Sequence, residues 1–200
     1  MGWTIGIILV SYLIGSISPS YLMGKWVAGI DIRQHGSGNA GATNTMRVLG
    51  VKAGIFVFLF DALKGVFMVW IANVLTGGNL VAMVLAGLFT IFGHNWPVYF
   101  GFRGGKGVAT TIGVLLTLAA VPALCAGVIA IALLLVTRYV SLASLSFVTF
   151  VPIFLVLFHR PMMLVFATIF LALVSYWKHR KNIERLAKGQ ENRLGKKANR

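Results

Sequence analysis

Two glycine-rich runs carry the residue types that could do chemistry. The first is Gly36-Ser37-Gly38-Asn39-Ala40-Gly41-Ala42-Thr43-Asn44, followed by Arg47. Glycines mixed with Ser, Asn and Thr let a backbone turn several N–H groups toward one anion, above all where the run opens a helix. Arg47 falls one helical turn beyond Thr43 or Asn44, where a guanidinium can close on the same phosphate. The plain alternative is a flexible loop with an ordinary helix cap at Thr43 or Asn44. The second run is Gly93-His94-Asn95-Trp96-Pro97, then Phe100 through Gly104-Gly105-Lys106-Gly107 to Thr111. A lysine between glycines, just before an apolar run, again describes an anion site. It is not a Walker A loop. Gly101 stands one residue too close to Gly105-Lys106, and Gly107 takes the place of the magnesium-binding Ser or Thr, so nucleotide hydrolysis is disfavoured. Trp96, Tyr99, Phe100 and Phe102 suit an interfacial aromatic belt. A third group is scattered: Arg138, Ser141 and Ser144 at a helix start, and His179, Arg180 and Asn182 where the last apolar run ends.

Acids are scarce. The chain has four, Asp31, Asp61, Glu184 and Glu191, and the last two lie in the tail. A paired-carboxylate acid/base or a magnesium site has almost nothing to build on, so no metal and no cofactor are expected. Asp61 and Lys64 are three apart inside an apolar run, on one helix face. Charges at that depth are costly unless paired, and a structural ion pair that also steadies the loops is the expectation.

The elements that must position these residues are membrane spans. Of 200 residues, 58% are hydrophobic and 11% are charged, against about 25% charged in a soluble domain. Apolar runs cover residues 2–24, 53–76, 80–93, 108–136, 140–158 and 162–177. Residues 25–52 and 94–107 are polar loops, Gly77-Gly78-Asn79 is a tight turn, and His159-Arg160-Pro161 is a break. The 29-residue run 108–136 is too long for one ordinary span of about 20 residues and short for two. Crossing twice, with a turn at Pro122, puts loops 25–52 and 94–107, Arg138 and the tail on one side, as the positive-inside rule favours. The expected fold is an all-α integral membrane protein. It is a seven-helix transmembrane bundle with some short helices, the N-terminus outside and the C-terminus cytoplasmic. Residues 1–200 form one polytopic domain, with 178–200 as a basic cytoplasmic tail.

That tail holds nine Lys and Arg against Glu184 and Glu191. It suits an anionic lipid surface, where each basic residue adds about 1 kcal/mol, better than nucleic acid. The opening Met-Gly-Trp-Thr-Ile lacks the basic n-region of a cleaved signal peptide. The single cysteine, Cys125, permits no intramolecular disulfide. The layout has a direct check. Single cysteines at Arg103 and Lys188, in a Cys125-free background, are expected to label from the same side of the membrane, and opposite labelling removes the shared-face arrangement.

A transporter of organophosphate would explain basic loops and spans equally well, but it needs a polar path through the bilayer. Here little beyond Asp61 and Lys64 lies at depth. A structural scaffold explains neither glycine-rich loop. The run Gly36–Asn44, the run from Gly93-His94 through Pro97 to Gly104-Gly105-Lys106-Gly107-Val108-Ala109-Thr110, and His179-Arg180-x-Asn182-Ile183-x-Arg185-Leu186-x-x-Gly189-x-Glu191 together resemble the bacterial acyl-phosphate-dependent glycerol-3-phosphate acyltransferases (PlsY). Three motifs in order, over nearly the whole chain, make the resemblance specific.

The resemblance implies transfer of a fatty acyl group from acyl-phosphate to the 1-hydroxyl of glycerol-3-phosphate, giving lysophosphatidic acid and phosphate. This is the first acylation of phospholipid synthesis, at the cytoplasmic face of the bacterial inner membrane. The implied partners are these two substrates and membrane lipid, with no nucleic acid and no metal. Ser37, Lys106 and His179 are the expected catalytic residues. The loop of Gly36, Ser37, Gly38, Asn39, Gly41, Thr43 and Asn44 would hold acyl-phosphate. Lys106 with Gly104, Gly105 and Gly107, joined by Arg47, Ser144, His179 and Asn182, would hold glycerol-3-phosphate. Either His179 or an oxygen of the acyl-phosphate itself would take the proton.

Overall fold

The computed structural model describes residues 2–195. Their regular structure is all helix, with no strand among the described residues. They form two compact units, Met1–Leu118 and Ala119–Arg200. The end of the basic tail, Lys196, Lys197 and Arg200, lies outside the described residues.

The first unit holds α1 (Gly2–Gly15), α2 (Pro19–Ala28), α3 (Ala42–Leu49), α4 (Val51–Thr76), α5 (Leu80–Asn95) and α6 (Val108–Leu118). The apolar run at 2–24 is not one rod. It breaks at Ser16–Ser18, and α2 restarts where Ser18 accepts the Tyr21 N–H with Pro19 in the first helical position, where its missing donor costs nothing. Helices α1 and α5 approach at Gly15 and Gly93. A methyl on Gly15 would strike the Thr90 carbonyl, and one on Gly93 the Tyr12 carbonyl. Small residues let backbones close to this range where lipid supplies no hydrophobic drive between helices.

The second unit holds α7 (Ala120–Thr137), α8 (Val140–Leu157), α9 (Met162–Lys178) and α10 (Arg180–Ala187). Helix α8 packs against both α7 and α9. Between α9 and α10 the chain turns by 64°, and His179 sits at the corner as the last cap of one and the first of the other.

The break in 108–136 falls at Ala119, not at Pro122. Pro122 lies in the first turn of α7, a place proline tolerates because no intrahelical donor is needed there. The products are unequal, 11 and 18 residues, rather than two of similar length. Among the described residues, five segments are long and apolar enough to cross a bilayer: Thr4–Ala28, Val51–Thr76, Leu80–Phe100, Ala120–Thr137 and Val140–Leu157. Joining α9 to α10 as one bent span makes a sixth. A seventh crossing would have to be α6, whose length of about 16 Å is roughly half the hydrocarbon thickness. Helix α4 exposes Phe56, Leu59, Phe60, Leu63, Phe67 and Trp70, and α7 exposes Leu124, Val128, Ile131 and Leu135. Apolar faces this continuous belong in lipid.

Candidate active site

The first glycine-rich loop is shaped by one side chain. Asn44, fully buried, accepts the Ser37 N–H at 2.7 Å and donates to the Ile32 and His35 carbonyls at 3.1 and 3.0 Å. Gly36 and Gly38 adopt φ of +62° and +72°, conformations that favour glycine. A methyl on Gly36 would also collide with the Asn44 amide. Asn44 therefore folds the loop, and its amide atoms are engaged with backbone. Sequence analysis expects Asn44 among the substrate-binding residues of this loop, and it is the side chain that gives the loop its shape. The N–H groups of Asn39, Ala40, Ala42 and Thr43 meet no protein acceptor among the described residues. Those of Ala42 and Thr43 open α3, where unpaired donors and the helix dipole favour an anion. The cap of α3 is Gly41, with no side-chain hydrogen bond. Thr43 and Arg47 lie four apart on α3, and the Ser37 side chain is exposed.

The second loop rests on the end of α5. His94 and Asn95 belong to that helix rather than to the loop where the sequence reading put them. The His94 carbonyl accepts the Gly105 N–H at 3.1 Å. Gly105 is wedged between the His94 ring and the Ala40 carbonyl, which would lie 2.8 Å from a methyl placed there. Here the two glycine-rich loops touch. Lys106 follows, half-buried, and Gly107 turns the chain at φ +79° into α6, whose first N–H groups, Val108 to Thr110, have no protein acceptor among the described residues.

A clasp ties the same loops at their bases. Arg33 grips Asp31 through Nε and Nη2 at 2.8–3.2 Å and donates Nη1 to the Phe100 carbonyl at 2.6 Å. Its guanidinium lies over the Tyr21 ring, which packs against Phe100. Hydrogen bonding from the Arg33 side chain brings the Asp31 carboxyl down to about 2. With a folded value below the unfolded 3.8, this ion pair contributes stability above that value and loses it only as pH falls toward 2.

In the second unit His179 and Asn182 stand at the α9–α10 corner, and Ser144 lies on α8. His179 is buried, and its Nδ1 lies 2.8 Å from the Ser175 carbonyl. Nδ1 must carry the proton there, so Nε2 is the basic nitrogen. Asn182 donates to Glu191 at 2.7 Å, Ser141 to the same oxygen at 3.1 Å, and Arg185 to the other at 2.7 Å. Burial alone would raise the Glu191 carboxyl, but these three donors hold it below its ordinary value. Ser144, one turn along α8 from Val140, donates to that residue's carbonyl. Among the described residues no three His, Cys, Asp or Glu side chains assemble as metal ligands.

The family model for glycerol-3-phosphate acyltransferase matches residues 5–189. The chain belongs to that family. Glycerol-3-phosphate acyltransferases of Shouchella clausii and Halalkalibacterium halodurans are each 52% identical to it, the first over 96% of this chain and 97% of its own, the second over 98% and 97%. Among solved structures it is similar to PlsY, an integral membrane glycerol-3-phosphate acyltransferase. The glycerol-3-phosphate form aligns at TM-score 0.91 and 38% identity over 96% of both chains, and the lysophosphatidic acid form at 0.87 and 37%.

As a glycerol-3-phosphate acyltransferase, the chain is an integral membrane enzyme of phospholipid biosynthesis. Its first unit brings together the Gly36–Asn44 run, Arg47 and the Gly104–Gly107 run. Ser144, His179 and Asn182 belong to the second unit. Sequence reading missed Glu191, which it counted as a tail acid although it stands inside the third motif. It also missed the Arg33–Phe100 clasp, because no local pattern joins residues 67 apart.

Proposed function

We propose that this acyltransferase uses acyl-phosphate as its donor and esterifies the 1-hydroxyl of glycerol-3-phosphate, releasing lysophosphatidic acid and phosphate. It works at the cytoplasmic face of a bacterial inner membrane. The contact of Gly105 with Ala40 carries this reading. It sets side by side two glycine-rich loops, each opening a helix whose first N–H groups are available. Two phosphorylated substrates need two such cradles, and each cradle is suited to one phosphate. Cations and a shortage of acids offset the repulsion between the two anions. The relatives solved in glycerol-3-phosphate and lysophosphatidic acid forms support the acceptor and the product.

Ser37, Gly36, Gly38, Asn39, Gly41 and Thr43 hold acyl-phosphate, in the loop that Asn44 shapes. Lys106, flanked by Gly104, Gly105 and Gly107, holds glycerol-3-phosphate, with Arg47, Ser144, His179 and Asn182. The fatty tail enters from lipid and the water-soluble acceptor from the cytoplasm. The acceptor hydroxyl attacks the acyl carbonyl. A C–O ester bond forms, the bond from carbonyl carbon to phosphate oxygen breaks, and phosphate departs with the electron pair. The hydroxyl proton goes to His179 Nε2, with an oxygen of the departing phosphate as the competing acceptor. An acyl-phosphate is already activated, so positioning and stabilisation of the oxyanion supply most of the catalysis, and no covalent intermediate is required.

Purified protein in detergent is expected to release phosphate from palmitoyl phosphate only when glycerol-3-phosphate is present, and to give no product from palmitoyl-CoA or palmitoyl-acyl-carrier protein. Turnover with either thioester would overturn the donor assignment. Activity is also expected to persist in excess EDTA, since four carboxylates in the whole chain leave a magnesium site unbuilt. Loss restored by magnesium would refute that electrostatic reading.

A further inference from the structure

A buried polar cluster in the first unit lies outside the roles assigned so far. Asp61 and Lys64 on α4 pair at 2.7 Å, and the His94 ring on α5 meets the same Asp61 oxygen through Nδ1 at 3.1 Å. All three are almost fully buried. Lys64 Nζ also donates to the Gly15 and Ile17 carbonyls, both at 2.9 Å. These two acceptors are left over by the break between α1 and α2. The helical partner of Gly15 would be Pro19, which has no N–H, and that of Ile17 would be Tyr21, whose N–H bonds Ser18 instead. Lys64 replaces both.

Counting donors fixes the histidine. The three ammonium protons go to Gly15, Ile17 and Asp61, so the 3.1 Å approach of Nζ to Nδ1 sets two donors beside one carboxylate oxygen. Nδ1 carries the proton and Asp61 accepts it. Nε2 is thereby turned toward Gly105, where a methyl group would collide with that nitrogen. The His94 carbonyl holds the Gly105 N–H and leaves no room for a methyl on Gly104. Both ends of His94 thus press on the two residues before Lys106. The loop is tied down further where Tyr12 Oη donates to the Trp96 carbonyl at 2.7 Å.

We infer that Asp61, Lys64 and His94 are positioning residues for acceptor binding: the ion pair locks the imidazole, and the imidazole sets the backbone from which Lys106 reaches glycerol-3-phosphate. The cluster acts through the Gly104–Gly107 loop and touches no substrate. The inference rests on the assignment of that loop to glycerol-3-phosphate.

The test compares His94→Leu, which removes the donor, with His94→Asn, whose amide nitrogen stands near the level of Nδ1 and can still reach Asp61. Steady-state kinetics would be run against each substrate, with calorimetric binding of glycerol-3-phosphate to the purified protein and Lys106→Ala measured alongside. His94→Leu is expected to raise KM and Kd for glycerol-3-phosphate about tenfold or more, since a shift of about 1 Å in a positioning group has effects of this order. His94→Asn is expected to recover most of that loss. The KM for palmitoyl phosphate should stay within about twofold in both, the pattern of an acceptor-specific binding defect. Asp61→Asn is expected to show the same split and to add little once His94 is changed. If the His94 variants lower kcat alone, or raise both KM values equally, the cluster only holds the fold together and the inference falls. If Lys106→Ala leaves glycerol-3-phosphate binding unmoved, the loop assignment is what has failed.

Discussion

Lys106→Ala is expected to lose about tenfold to a hundredfold in kcat/KM for glycerol-3-phosphate while the protein still inserts and purifies as a folded species. A charge-assisted hydrogen bond to phosphate is worth about 1.5–3 kcal/mol, and each 1.4 kcal/mol is about tenfold. The loss is greater if the ammonium also steadies the developing oxyanion. Stability should change little, because Lys106 sits in irregular chain ahead of α6 and adds little to helix packing. Lys106→Arg is expected to be impaired as well. Gly105 and Gly107 hem the backbone against His94, Ala40 and Asn95, and a planar guanidinium does not substitute for a compact ammonium at such a place. Phosphate release measured against glycerol-3-phosphate concentration decides the matter. Near wild-type kinetics in Lys106→Ala would make the lysine an interfacial anchor.

His179→Ala is expected to lower kcat by about a hundredfold to ten-thousandfold, the usual contribution of a general base. The Ser175 carbonyl fixes the tautomer with Nδ1 protonated, so Nε2 is the nitrogen to which the proposed mechanism gives the hydroxyl proton. The informative companion is the pH profile. If the imidazole takes the proton, wild-type kcat should fall at acidic pH through one ionisation that the variant lacks. A residual rate within about tenfold of wild type, with an unchanged profile, would be too small a loss for a general base, and the departing phosphate would then be the proton acceptor.

The spans were legible because hydrocarbon imposes a length and a composition on each. The run predicted at 53–76 is α4 at Val51–Thr76, 140–158 is α8 at Val140–Leu157, and 162–177 is α9 at Met162–Lys178. Breaks inside an apolar run were harder. Ser16–Ser18 interrupts the first span although the residues around it are apolar enough to read as continuous, and Ser18-Pro19 was the available signal. Near Pro122 the signal misled. Proline marks the first turn of the new helix, and the break falls three residues earlier at Ala119. In the candidate site, residue types exposed the two glycine-rich loops that meet at Gly105 and Ala40, and the Asp61–Lys64 spacing exposed an ion pair that does form. The sequence did not disclose that His94 completes that pair from 33 positions away. Nor did it disclose that Asn44 turns inward to fold its own loop. Both are tertiary hydrogen bonds, and no periodicity encodes them.

The leftover carbonyls of Gly15 and Ile17 have a consequence for biogenesis. An acid and an ammonium halfway along α4 each burden its entry into the bilayer, by about 2.5–3.5 kcal/mol at a span centre. The ammonium finds two of its three oxygen acceptors in the preceding span. As the ribosome delivers α4, the first span, built of α1 and α2, has already been made, and lateral association with it relieves that burden. Assembly in the order of synthesis follows from where the acceptors lie. A chain deprived of residues 1–28 would present α4 to the insertion machinery with its ammonium unmet by those carbonyls, and such a chain should be retained and degraded rather than inserted.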